Sequence, residues 1–391
     1  MKNNNPLLPE LRFPEFKNDG EWEEKIIENI LVNGSSAIAL NKLDLKPEGF
    51  PVYGADSIVG YIDVYQHEEE YISIVKDGSG VGRLNLCKSK SSILGTLTSL
   101  KSRDKKKYNL NWSYYLLNTI DFSSYVKGAG IPHIYYSDFK ETKVFVPNPL
   151  EQQKIADCLS SLDALLEAHQ EKLSALQKHK KGLLQHLFPQ ENEKVPKFRF
   201  KEFVNDGEWE ETKLGMIAEF INGKAYKQEE LLSDGKYRVL RVGNFFTNNE
   251  WYYSNLELDV DKYAENGDLL YAWSASFGPH IWNEEKVIYH YHIWKVKNSK
   301  DISKNFLFYL LDYETNNMKS KSLNGFALMH ITKGTIENWD CIIPKTEKEQ
   351  QKIADTLSSL DSLIQAQTQK IAQLQNHKKG MLQGLFPKIN E

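Results

Sequence analysis

Cysteine is nearly absent: Cys87, Cys158 and Cys341 stand far apart, with no paired spacing and no histidines grouped beside them. That excludes a disulfide framework and a zinc site, and it fits a reducing cytoplasm. No stretch of about 18 apolar residues occurs, which argues against a membrane span. The start, MKNNNPLLPELRF, has no apolar run behind a basic segment, which argues against secretion. An excess of positive charge is missing as well. Lys plus Arg number 49 against 53 Asp plus Glu, a net charge of -4, so any attraction to a polyanion has to be local.

Catalytic signatures are also lacking. There is no nucleotide P-loop, and no Ser/His/Asp or metal-ligand spacing suited to hydrolysis. The glycine-rich residues 76–83, KDGSGVGR, lack the strand-to-helix context and the downstream acid of a dinucleotide site. Asn148, Pro149 and Leu150 mark the start of a helix rather than a catalytic loop. The chain reads as a non-catalytic protein.

What is present is repetition. RFPEFKNDGEWEE at residues 12–24 returns as RFKEFVNDGEWEE at 199–211, with 11 of 13 positions identical. Residues 151–189 return at 349–387, with 26 of 39 positions identical. Between these blocks lie two inserts that match only near their ends, where residues 128–134 correspond to 325–331 and lead into apolar strands ending at Pro147 and Pro344. A length of 391 residues suits such a modular chain.

Short β-branched and aromatic runs such as YISIV, KVFV, VIYHYHIWKV and DCIIP, set between Gly, Asn and Asp clusters, predict mainly β inserts. Helical pieces are expected near residues 112–117 and 306–311. The NDGEW strings predict a turn followed by a strand, with Trp22 and Trp209 as core anchors.

The second repeat carries a heptad seam. In the first copy it runs through Ile155, Leu159, Leu162, Leu166, His169, Leu173, Leu176, Lys180, Leu183 and Leu187. In the second it runs through Ile353, Leu357, Leu360, Ile364, Gln367, Ile371, Leu374, Lys378, Met381 and Leu385. Pro149 and Pro189 bracket the first helix, Pro344 and Pro387 the second. The two stripes are expected to pair with each other, antiparallel, because a parallel pair would force the second insert to stretch back along the whole rod. Pairing midpoint to midpoint predicts His169 beside Gln367, facing positions summing to about 536, Lys180 near Asp355 and Lys378 near Asp157.

The fold class expected is therefore α+β: two mainly β domains separated by a long antiparallel two-helix coiled coil, with pseudo-twofold symmetry. The boundaries are a leader at 1–20, a first β domain at 21–148, a first spacer helix at 149–188 and a linker with the repeated leader at 189–206. A second β domain follows at 207–345, then a second spacer helix at 346–387 and a tail at 388–391; the resemblance described next implies that both β domains are target-recognition domains.

The duplicated PLEQQKIADCLSSLDALL and EKEQQKIADTLSSLDSLI helix starts, the KKGLLQHLFP and KKGMLQGLFP ends, the RF-x-EF-x-NDGEWEE leaders and the string FPVYGADSIVGY together resemble the specificity subunits of type I restriction-modification systems. The resemblance covers essentially the whole chain. It implies that each insert reads one half of an asymmetric, bipartite double-stranded DNA target, while the helices set the spacing and dock modification subunits. It further implies two modification subunits and up to two restriction subunits as partners. S-adenosylmethionine, ATP and magnesium would sit on those partners, with no cofactor on this chain. The competing reading is a coiled-coil scaffold whose β domains bind proteins.

For binding DNA the strongest electrostatic footprint is residues 88–107. Lys88, Lys90, Lys101, Arg103, Lys105, Lys106 and Lys107 stand there against the single acid Asp104. Lys76 and Arg83 flank the glycine-rich loop. In the second insert the comparable candidates are Lys224, Lys227, Arg238, Arg241, Lys319 and Lys321. His133 and His330 end matching loops and are read as structural.

Overall fold

The structure is a computed structural model that describes residues 8–388 apart from 129, 247, 275–276 and 323–330. The chain falls into two compact units, one made of Met1–Glu171 with Thr368–Glu391, the other of Lys172–Gln367. Each long helix, Pro149–His186 and Glu347–Leu385, thus contributes one part to each unit.

In the first unit the leader makes a turn at Gly20, whose φ of +80° favours glycine. Trp22 follows, buried at 2% exposure. The strand Glu23–Ile26 then pairs antiparallel with Lys143–Val146, the strand just before the long helix. The insert holds a four-stranded sheet in the order Leu31–Ser35, Leu97–Ser102, Tyr71–Val75, Leu84–Cys87. All five residues of Tyr71–Val75 are buried, as suits a β-branched central strand. A three-stranded sheet, Ile58–Ile62, Phe50–Tyr53, Ser92–Ile93, shares a second small core with that sheet, Val52, Ile62 and Ile93 packing with Tyr71, Val75, Cys87 and Leu97. Helix Leu110–Leu117 is capped by Asn109, whose side chain accepts the Trp112 N–H at 2.9 Å.

The second unit repeats this plan. Its leader turn at Gly207 also has positive φ (+75°), Trp209 is buried, and Glu210–Lys213 pairs with Asp340–Ile343. One four-stranded sheet runs Ala218–Asn222, Ile293–Asn298, Leu269–Ala272, Gly278–Ile281. The other runs Tyr252–Ser254, Tyr237–Leu240, Val287–Tyr289, Tyr263–Ala264. The helix here is longer, Lys304–Ser322. The run VIYHYHIWKV, read as one β segment, is broken after Tyr289 and resumes at Ile293, so residues 290–292 form a turn between strands of different sheets.

The EQQ of each long helix joins it to its insert. Glu151 takes a bidentate pair of hydrogen bonds from Arg12, both 2.8 Å, and Glu349 takes the same pair from Arg199. Both carboxylates are about fully buried, at 1% exposure. Each arginine also donates to the leader turn, at Gly20 O or Gly207 O. Gln152 donates to Lys107 O and Pro147 O and accepts from Asn109 N, while Gln350 donates to Asp301 O and Pro344 O and accepts from Ser303 N. Asn148, just before Pro149, caps the first helix by accepting the Glu151 N–H at 2.9 Å.

In both units the long helices pack antiparallel. Leu385 and Phe386 share a core with Ile155, Leu159, Trp22 and Trp112 in the first. Leu184, Leu187 and Phe188 share one with Ile353, Leu357 and Trp209 in the second. Residues 187–188 and 386–387, assigned above to the spacer helices, lie past their ends: Leu187 and Phe188 turn into the core, and prolines 189 and 387 cannot continue a helix. Every seam residue, Ile155, Leu159, Leu162, Leu166, His169, Leu173, Leu176 and Leu183 with Ile353, Leu357, Leu360, Ile364, Gln367, Ile371, Leu374 and Met381, is buried or half-buried.

The register differs from the expected one. Lys180 pairs with Asp361, not Asp355, and Lys378 with Asp163, not Asp157; both pairs have an index sum of 541 rather than 536. Leu159 then lies level with Met381 and Leu183 with Leu357, while His169 is level with Ile371 and Gln367 with Leu173. The seam has moved by one step. Because a heptad stripe is periodic, such a shift keeps most apolar positions facing apolar ones while the polar seam residues come level with apolar ones, and residues outside the stripe help to decide the phase.

Arg12→Met is expected to cost about 3–5 kcal/mol of stability because Glu151 stays buried without its partner, and Arg12→Met with Glu151→Leu to recover most of that loss. Chemical denaturation of the full chain measures both; a single variant as stable as the unaltered chain would show that the pair holds nothing together.

Candidate nucleic-acid interface

At one edge of the first unit three loops are tied together by backbone hydrogen bonds. The hairpin at residues 76–83 joins two antiparallel strands, so it has no helix at its end on which to seat a phosphate. Lys76 N donates to Thr96 O at 2.9 Å, in the turn at 94–96. Ile134 N donates to Lys76 O at 2.8 Å and Gly78 N to Pro132 O at 2.9 Å, which brings in the loop before the long helix. Lys127 and His133 close that loop through reciprocal backbone bonds of 2.9 and 2.8 Å. This accounts for the repeated His-Ile segment as a structural joint. The matching loop at 325–330, with His330, lies outside the described residues.

The second unit builds the same junction from different side chains. Trp273 N donates to His292 O at 3.1 Å, and Ile331 N donates to Trp273 O at 2.9 Å, bonds that correspond to those made by Lys76 with Thr96 and Ile134. Trp273 also donates its Nε1–H to Tyr291 O at 2.7 Å. Around it His290, Tyr291 and His292 are in mutual ring contact, with centroids 4.0–4.8 Å apart. Where the first unit has Lys76 and the turn Leu94, Gly95 and Thr96, the second has Trp273 and His290, Tyr291 and His292.

Lys224 borders this second cluster. Lys224 forms a backbone bridge with His290, pairs with Glu230 at 3.2 Å and lies over the Tyr226 ring. Lys319 donates to Phe277 O at 3.2 Å. Arg241 stacks over Tyr252 and helps to depress the basicity of His290. The remaining candidates of this insert stand apart from the loops. Arg238 stacks over Trp251 and pairs with Glu284 and Glu285, both at 2.9 Å; Lys227 faces Glu229; Lys321 pairs with Glu191 at 3.1 Å.

The basic run of the first unit is partly neutralised. Lys105 pairs with Glu69, Lys107 approaches Asp104 at 3.9 Å, Arg103 donates to Glu28 O, and Arg83 of the hairpin pairs with Asp56. Lys88, Lys90, Lys101 and Lys106, with Lys76, have no ion-pair partner among the described residues. The aromatic and histidine cluster of the second insert went unread in the sequence because HYH was taken as part of a strand, and a charge count does not register neutral rings.

His290 and His292 of this cluster are held neutral by burial, as is His280 on the strand Gly278–Ile281. Burial lowers His280 to about 4, and burial with His292 and Arg241 lowers His290 to about 4. A neutral imidazole offers one donor and one acceptor, the complement a base edge can use. No group of three or more His, Cys, Asp or Glu that could hold a metal occurs among the described residues, nor does a helix long and apolar enough to cross a membrane.

The profile of the type I restriction modification DNA specificity domain matches the chain twice, at residues 19–178 and 206–376. The chain belongs to that family. Its specificity-subunit members are the non-catalytic components of type I systems, and membership disfavours the protein-scaffold reading. The type I restriction enzyme MjaVIII specificity subunit of Methanocaldococcus jannaschii is 30% identical over 335 residues, which cover 80% of this chain and 77% of that protein. The crystal structure of a type I restriction-modification S subunit from M. genitalium superimposes with a TM-score of 0.69 at 20% identity, covering 98% of this chain and 100% of the other. A chain from a structure describing complex assembly and conformational transition of the type I restriction-modification system gives 0.52 at 15% identity, covering 92% and 96%. These two likenesses concern the specificity-subunit fold.

A histidine whose pKa is depressed by folding stabilises the folded state above its unfolded pKa, near 6.5, and that contribution is lost as pH falls toward about 4. The denaturation midpoint of the chain is therefore expected to fall on acidification from neutral pH to near pH 5, with His280→Gln showing a smaller fall. Identical pH dependence in the two chains would show that His280 contributes nothing to it.

Proposed function

We propose that this chain directs a type I restriction-modification complex to an asymmetric split DNA target, each unit reading one half through its loop cluster. The observation that carries the reading is one fold built twice with unlike side chains at the same junction: Lys76 and Thr96 in one copy, Trp273 and His292 at the same places in the other. Similar scaffolds with dissimilar reading surfaces suit two dissimilar half-sites. The paired long helices set the distance between those halves and offer two equivalent surfaces for two modification subunits, with up to two restriction subunits joining the full complex. S-adenosylmethionine, ATP and magnesium belong to those partners.

Lys88, Lys90, Lys101 and Lys106 bind phosphates, which positions a duplex without reading it. Mapping methylated motifs in cells that carry this chain and its modification subunit tests the division of labour. Replacing only residues 207–345 is expected to change one half of the motif and leave the other. A change in both halves, or in neither, would refute one reader per half. Replacing the four lysines together with glutamine is expected to weaken binding similarly on all sequences and to flatten the salt dependence, by about 0.9 in log–log slope for each phosphate no longer neutralised. An unaltered slope would place the phosphate-binding groups elsewhere.

A further inference from the structure

The apolar positions of the seam do not by themselves choose a register, since adjacent registers a step apart both set mostly apolar residues against one another. Two side-chain junctions break the tie. In the first unit Asp163 accepts the Tyr115 hydroxyl at 2.7 Å while pairing with Lys378, and the Lys378 ammonium lies 5.6 Å from the centre of the Tyr115 ring. In the second, Asp361 accepts the Tyr309 hydroxyl at 2.8 Å, pairs with Lys180 at 2.6 Å, and Lys180 lies 5.6 Å from the Tyr309 ring. Each junction joins three elements: the helix of an insert (Leu110–Leu117 or Lys304–Ser322), the long helix that follows it, and the opposite long helix.

We propose that Tyr115–Asp163–Lys378 and Tyr309–Asp361–Lys180 are positioning residues that lock each recognition domain in phase with the helix pair, and so fix the number of base pairs separating the two halves of the target. The inference rests on the split-target reading above. Sliding the helices by one seam step, about four residues, moves them about 6 Å along their axes, close to two base-pair rises. That slide would strand both lysines, half-buried in the seam, away from the carboxylates that now neutralise them. The second junction carries a further acid, Asp312, where the first has Asn118; burial raises the Asp312 carboxyl above the ordinary range, against the pull of Lys180.

The test uses the full chain assembled with its modification subunits and duplexes built on the motif that this complex methylates, with the central spacer native or altered by one or two base pairs. The unaltered complex is expected to prefer the native spacer. Asp163→Asn with Asp361→Asn should reduce that preference by about tenfold while the bases recognised in each half stay the same, since a charge-assisted bond is removed at each junction. Tyr115→Phe with Tyr309→Phe, which removes only two hydroxyls, should reduce it in the same direction by a smaller factor, and covers the case in which the aspartate variant does not fold. Exchanging the charges at both junctions, by Asp163→Lys with Lys378→Asp and Asp361→Lys with Lys180→Asp, should restore a preference missing in the asparagine variant. Undiminished spacer preference in both the folded asparagine variant and the phenylalanine variant would overturn the inference, as would a change in the bases read. An unaltered complex indifferent to the spacer would overturn the split-target reading and this inference with it.

Discussion

The antiparallel return of the second long helix is the constraint on which the rest depends. It delivers Leu385 and Phe386 from near the end of the chain into the core of the first unit, where Phe386 meets Trp22 and Trp112 edge-on or tilted at 6.1–6.2 Å. The second unit fills the corresponding place with Phe188 against Trp209 and Phe306, from residues continuous with its own leader. One unit thus closes its core from a nearby stretch of chain and the other from nearly the whole length of the sequence away. A helix pair running parallel would leave Trp22 and Trp112 facing water, at a cost of about 2–3 kcal/mol for each large side chain left exposed.

Much of this plan was legible in the residues. The leader repeat located the buried tryptophans and the glycine turn, because only glycine sits easily at the positive φ that both copies adopt. The leucine spacing disclosed the helix pair, and the need to return the chain disclosed its direction. The phase was not legible. A stripe repeating every three or four residues matches itself one step along, and the groups that decide, Tyr115 and Tyr309 with Phe386 and Phe188, lie outside the stripe and are far from it in sequence. His169 and Gln367 invited pairing as the shared polar positions, yet the carboxylates one residue beyond Leu162 and Leu360 set the register instead.

The EQQ motif shows a second kind of limit. Its strong repetition marked it as important, but its role is jointing. Glu151 and Glu349 are neutralised by arginines 139 and 150 residues away, and Gln152 and Gln350 tie the first turn of the long helix to the insert's own helix. Residues repeated in both halves serve the frame both halves share. Residues that differ between the halves are the ones free to meet different ligands, which is why the proposed reading of DNA is assigned to the side chains that differ at the loop clusters.

Those clusters also show why charge counting located only part of the candidate interface. In the first unit the unpaired lysines are a continuous signal in the sequence, and four of them keep their charge unneutralised in the fold. In the second, most candidate cations are spent on local carboxylates, Arg238 most clearly, between Glu284 and Glu285. What stands at the corresponding loops is instead a set of rings, Trp273, His290, Tyr291 and His292, held by backbone bonds in the same places as their counterparts. Neutral rings with fixed donors and acceptors discriminate by fit and hydrogen bonding, whereas cations hold a phosphate backbone whatever its sequence. Under the proposed function, the first unit would be weighted toward holding a duplex and the second toward discriminating within it.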